Sequence, residues 1–149
     1  MCVLISKRVS VCAIVTLLVA AGCSGRSDLG LVSGTVTLDG KPLPNAFVEF
    51  SPQAEGSVAS GRTDENGEYF LMYSRTVKGA SVGENVVRIT THDVLDDGGK
   101  EVHVPEKVPA RYNANSELVV TVKAGSNELD FELESAGGKV VQPKSIEGL

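Results

Sequence analysis

Two histidines and four carboxylates share one stretch of twelve residues: His92, Asp93, Asp96, Asp97, Glu101 and His103. Imidazole suits zinc and carboxylate oxygen suits calcium, so the donor types of a metal centre are present. A solvated acidic loop explains the same residues more simply, so neither a metal ligand nor a cofactor is assigned. Asp64-Glu65-Asn66-Gly67 has the opening of a calcium loop without the distal bidentate Glu, and it reads as a turn. Nucleophilic catalysis needs a Ser, Thr or Cys beside a His and an orienting acid, and no G-x-S-x-G elbow or comparable arrangement occurs. No catalytic residue is expected, and a metal-dependent hydrolase is the most remote reading. Arg111, Tyr112 and Asn113, which follow Pro109, are the candidate ligand-binding residues, because Tyr beside Arg offers stacking area and hydrogen bonds to a sugar or peptide. The simpler alternative has Tyr112 packing its ring on the domain and anchoring the loop through its hydroxyl.

Chemistry of another kind centres on Cys23. Lys7 and Arg8 precede an apolar run from Val9 to Ala21 that is short for a membrane span, and Ala20-Ala21-Gly22 places small residues directly before Cys23. This is the pattern of a bacterial lipoprotein export signal over residues 1–22, with Cys23 as the first mature residue and the lipidation site. Lipoproteins usually carry Leu three residues before the Cys, where Ala20 stands here. An uncleaved anchor or a core helix would call for a longer run or different flanks. Several acyl chains, palmitate among them, would hold the protein to a membrane durably, since one chain alone is a marginal anchor. Ser24 after the Cys favours the outer membrane over the inner, so the expected location is the extracytoplasmic cell envelope.

Removing residues 1–22 takes Lys7 and Arg8 from the 14 basic residues, leaving 12 against 19 acidic ones and a net charge of −7. Without clustered Lys and Arg, no nucleic-acid partner is expected. Cys2 and Cys12 lie within the signal and Cys23 would carry lipid, so the exported part has no disulfide or Cys-based metal site. One domain with tails fits the remaining length. No Trp, few aromatics and many Gly favour strands held by aliphatic packing.

The elements that must position these residues read as short strands. Val32, Gly34, Val36 and Leu38 alternate with Ser33, Thr35 and Thr37, and Asp39-Gly40 supplies a turn. Pro42 and Pro44 exclude a central strand, after which Ala46, Val48 and Phe50 resume the alternation. Asp64 to Gly67 predicts a hairpin between Ala59 to Thr63 and a strand carrying Tyr69 and Leu71; Val87 and Ile89 mark the next strand. Thr91 to Asn115 reads as the longest irregular stretch, and loops of that length are usually functional or mobile. Leu118, Val120 and Val122, a turn at 124–127, then Leu129, Phe131 and Leu133 predict a final hairpin. The expected fold is an all-β sandwich of about seven strands. Residues 23–30 would form a tether, reaching about 25–30 Å when extended, and 135–149 a flexible tail.

Val32-Ser33-Gly34-Thr35-Val36, Gly40 to Phe50, Thr63 to Leu71, Gly79 to Glu84 and Pro109 to Asn113 stand in the order and spacing of a known family. Residues 31–134 resemble the carboxypeptidase regulatory-like domain, a prealbumin-like (transthyretin-like) Greek-key sandwich of bacterial exported lipoproteins. Asn85 departs from the pattern, which usually has an aromatic there. The resemblance implies a non-catalytic accessory module. The 5-hydroxyisourate hydrolase on the same fold carries a C-terminal Tyr-Arg-Gly-Ser motif that this chain lacks. The leading expectation is therefore a lipid-anchored, extracytoplasmic module for binding or assembly at the cell envelope. Its partners would be the membrane, through Cys23, and an envelope protein or polysaccharide. The alternative is a carbohydrate- or peptide-binding lipoprotein that uses the 91–115 loop.

Overall fold

The computed structural model describes residues 28–143, so the expected export signal, Cys23 and the last six residues lie outside the described chain. Twelve strands, numbered in chain order, form two facing sheets and a separate hairpin. At the centre of the first sheet runs β1 (Leu29–Leu38). On one edge it pairs antiparallel with β2 (Lys41–Pro42), β5 (Glu68–Phe70) and β6 (Ala80–Ser81). On the other it pairs in parallel with β11 (Gly125–Glu128) and β12 (Phe131–Leu133). The second sheet is antiparallel in the order β10 (Val119–Val122), β7 (Gly83–Thr90), β3 (Phe47–Pro52), β4 (Ala59–Arg62). The hairpin is β8 (Asp93–Asp97) with β9 (Lys100–Val104). The fold is an all-β sandwich and not a closed barrel. Strands outnumber the expected seven because ten-residue β1 outlasts its partners, and successive short strands share each of its edges.

Alternation buries the side chains it predicts. Val32 and Val36 from β1, Ala46, Val48 and Phe50 at β3, and Val87 and Ile89 from β7 meet between the sheets. Each aliphatic side chain so buried contributes about 1.5–3 kcal/mol. Phe50 of the second sheet meets Phe131 of the first edge to face, with ring centroids 6.2 Å apart.

One close approach governs the first sheet. Tyr69 lies opposite Gly34 across the β5 to β1 ladder, and its hydroxyl donates to the Leu129 carbonyl at 2.6 Å on the far side of β1. The phenol therefore crosses β1 where Gly34 has no side chain. A Cβ on Gly34 would sit 2.0 Å from the Leu129 oxygen. Burial pushes the Tyr69 phenol well above its ordinary value, so it stays a donor.

Turn chemistry was readable, but its destinations were not. Asp39 and Gly40 both have positive φ, 52° and 78°, and close a two-residue hairpin with Leu38 opposite Lys41. The Asp64 carboxylate accepts from the amides of Asn66 and Glu68, both at 2.9 Å. That turn carries the chain from the second sheet to the first, with the Ser60 to Met72 bridge linking its two arms. The expected final hairpin does not form: β10 pairs with β7, whereas β11 and β12 pair with β1. Asn127 makes that corner, accepting from the Lys123 amide (2.8 Å) and donating to the Leu31 (3.0 Å) and Lys123 (2.8 Å) carbonyls. Asn85 is fully buried, and its amide nitrogen donates to the Ser81 and Gly83 carbonyls, holding the β6 to β7 corner.

Both ends of the domain extend further than expected. Leu29 and Gly30, assigned to the tether, are already in β1 and pair with Ser81 and Ala80. The described part of the expected tail is fastened back: the Ser135 amide and hydroxyl donate to Asp39, and the Ala110 amide donates to the Lys139 carbonyl. Polar side chains do this fastening, which is why no hydrophobic pattern announces it.

Gly34→Ala should lose about 2–3 kcal/mol or more by overpacking, and Tyr69→Phe about 1 kcal/mol for the lost hydrogen bond. Thermal unfolding of the two variants checks this, and a wild-type melt for Gly34→Ala would remove the close approach as the reason for a glycine.

Candidate functional site

Thr91 to Asn115, expected to be irregular, is instead a hairpin followed by a short 3-10 turn at Ala110–Tyr112. Gly98 and Gly99 form the two-residue connection, with φ of 64° and 90°, the backbone such a turn requires. The Asp-Asp-Gly-Gly sequence held that signal, but the charged, weakly alternating strands around it concealed the pairing. Leu95 faces Val102 on one side of the hairpin, while Val94 faces His103 and Asp96 faces Glu101 on the other. The Asp93 carboxylate makes an ion pair with Arg62 of β4 at 2.9 Å, tying the hairpin base to the sandwich. His92 precedes the hairpin, and His103 lies on β9 opposite Val94. Among the described residues, no three His, Cys, Asp or Glu side chains are grouped so as to share a metal ion.

Glu106, which sequence reasoning did not single out, organises this region. It is buried, and its carboxylate accepts from the Thr91 amide (2.9 Å), the Thr91 hydroxyl (2.8 Å) and the amides of Lys107 (3.0 Å) and Val108 (2.9 Å). The Thr90 hydroxyl donates to its second oxygen. Gln142 completes the clamp: its amide accepts from the Glu106 N–H and donates to the Glu106 carbonyl, both at 2.9 Å. Burial pushes the carboxyl up, but the donors from Thr90, Thr91 and Val108 outweigh it and hold the group below its ordinary range. The carboxylate thus locks the segment after the hairpin onto the end of β7. A Thr-Thr pair and a later Glu are too common in sequence to signal this.

Arg111, Tyr112 and Asn113 stand together on the 3-10 turn with their polar groups engaged inside the chain. The Arg111 guanidinium donates to the carbonyls of Glu134 (2.7 Å) and Ala136 (3.0 Å) and lies 4.9 Å from the Tyr112 ring centroid. The Tyr112 ring packs against the core and its hydroxyl accepts from the Glu134 amide at 3.3 Å. The Asn113 amide nitrogen donates to the Val108 carbonyl at 3.1 Å. Arg111 and Tyr112 fasten the segment after Leu133 to the turn, and Asn113 ties the turn to Val108.

Two recesses flank Arg62. One, about 290 Å³, lies between the hairpin and the sandwich and is lined by Pro44, Thr91, Leu95, Val104 and Lys107. The other, about 400 Å³, opens on the outer face of the first sheet, with Ser33 and Thr35 at its floor, Phe70 beside them, and Asp64, Glu68 and Glu128 around it. Both are open clefts whose lining mixes apolar surface with charged and hydroxyl groups. Neither brings a nucleophile beside a histidine.

No family model matches the chain, and no curated protein matches it. Among solved structures, it is similar to a 9R-lipoxygenase from Cyanothece PCC8801, at 17% identity and a TM-score of 0.37 over 72% of this chain and 16% of that one. It is also similar to a DUF3823 family protein from Parabacteroides merdae ATCC 43184, at 16% identity and a TM-score of 0.38 over 72% of this chain and 46% of that one. The chain thus spans less than half the length of either structure.

Glu106→Gln should destabilise the domain by about 2–3 kcal/mol at neutral pH, the scale of lost hydrogen bonds to a charged group. A depressed folded pKa contributes stability above the ordinary glutamate value of 4.5 and loses it as pH falls through the folded value. The gap between wild type and variant should therefore narrow on acidification. Denaturant unfolding at pH 7 and below pH 4 measures the gap, and one that widens in acid would refute the assignment.

Proposed function

We propose that the protein is a non-catalytic, lipid-anchored, extracytoplasmic β-sandwich that serves as a binding or assembly module at the cell envelope. The observation that carries the proposal is the short distance from Cys23 to folded structure. β1 begins at Leu29, and the five steps from Cys23 to Asp28 reach at most about 17 Å. A domain so placed would work against the membrane surface. The order of its glycine, proline and turn residues supports assignment to the carboxypeptidase regulatory-like domains, and the two-sheet architecture is compatible with it.

The groups best suited to chemistry also support binding over catalysis, because they are spent on structure. Glu106 holds a loop, Asp93 pairs with Arg62, and Arg111 is committed to backbone carbonyls. A second reading, capture of a glycan or peptide beside the 91–115 segment, is favoured by the cleft between the hairpin and the sandwich.

In cells given an alkyne-bearing palmitate analogue, the full-length protein should be labelled and should sediment with membranes. Cys23→Ala should abolish the label and leave the signal uncleaved. Wild-type protein that takes up no label would sink the anchor.

A further inference from the structure

Phe70 is the most exposed large apolar side chain of the first sheet, at 56%, and it stands in the larger cleft. It faces outward from β5 opposite Ser33, and Glu128 of β11 lies on the other side of Ser33. One step along, Glu68 lies opposite Thr35. The ring is thus set in a shallow floor of Ser33 and Thr35 with carboxylates on both flanks and Asp64 at one end. Arg62, the cation lining this cleft, is already paired with Asp93.

The ring already has an occupant. Exposed Lys78 places its ammonium 5.3 Å from the Phe70 centroid, and no ion pair to Lys78 occurs among the described residues. An aromatic face attracts a cation through its quadrupole, by about 0.5–1 kcal/mol at an exposed site. Surrounding carboxylates strengthen the preference for positive charge and disfavour anions. Lys78 therefore displays, within the chain, the ligand chemistry that this surface takes.

We propose that the outer face of β5, β1 and β11 is a docking surface for a cationic, lysine- or arginine-bearing segment of a partner protein, whose side chain displaces Lys78 from the Phe70 ring. Glu68 and Glu128 would flank the incoming charge, while Ser33 offers its hydroxyl to the segment's backbone; the Thr35 hydroxyl is donated to Asp130. The proposal deepens the binding-module reading by naming the partner's chemistry. It does not depend on Cys23 or on the 91–115 segment.

The test uses full-length protein in a non-ionic detergent and an acetylated, amidated trilysine peptide observed by proton NMR. Saturable binding is expected, with the peptide ε-methylene protons shifted upfield by the Phe70 ring and affinity falling as salt is raised. Phe70→Ser should abolish the upfield shift, and Glu68→Gln with Glu128→Gln should weaken binding about threefold to fivefold. Lys78→Ser, which vacates the ring, should tighten it. Absence of saturable binding, an upfield shift that survives Phe70→Ser, or affinity unchanged or weakened by Lys78→Ser overturns the proposal. So does a chitin tetrasaccharide binding at Phe70 in place of the peptide, which would make the surface a sugar site. These outcomes are separate from the fate of the anchor, since a soluble, unlipidated protein would give the same NMR result.

Discussion

The first sheet depends on Tyr69 crossing β1 at Gly34 to reach the Leu129 carbonyl. Among the described residues, β1 is the only strand of its sheet with partners along both edges, and apart from adjacent β2 those partners come from the middle and the end of the chain. Parallel pairing to β11 and β12 requires a long crossover. Here nearly the whole sandwich is that crossover. The Tyr69 hydroxyl fixes the register between β5 and the segment joining β11 to β12, and its ring lies 6.3 Å from Phe131. A side chain at residue 34 would occupy the space through which the whole arrangement is joined.

The second constraint is electrostatic. Glu106 is a buried carboxylate that would be costly alone, and it is tolerated because hydroxyl and amide donors surround it. The same bonds bring the β7 end, the segment after the hairpin and Gln142 to one place. Arg111 performs the parallel task for Glu134 and Ala136. One side of the sandwich is thus closed by polar fastening, while its interior is closed by aliphatic packing. The smaller cleft beside Arg62 is bordered by the Glu106-fastened segment through Thr91 and Lys107.

Recognition is the use proposed for a surface built this way. Its exposed carboxylates border open clefts, and its buried one is saturated with donors. The hairpin at 93–104 is held at its base by Arg62 and Asp93 and otherwise carries exposed Val94, Leu95 and Val102 into solvent. Such a projection adds contact area to the smaller cleft.

Period-two alternation over 32–38 and 46–50 determined by itself which residues of β1 and β3 enter the core, because a pleated strand sends successive side chains to opposite faces. Asp39-Gly40 and Asp64 to Gly67 likewise determined where the chain turns, through residues that tolerate positive φ or accept local hydrogen bonds, whereas 125–127, expected to turn, pair with β1 as part of β11. Which sheet each turned strand joins was decided only by tertiary structure. The stretch from Leu118 to Leu133 has the pattern of a hairpin, and its two arms separate because β7 and β1 each offer an unpaired edge. The same holds for the sites. Arg111, Tyr112 and Asn113 were legible as a polar cluster, but the partners of Arg111 and Tyr112 at 134–136 depend on folding back a distant segment. Glu106 and Phe70 had no local signal at all, since one is defined by donors 15 residues away and the other by strands that meet only in the folded sheet.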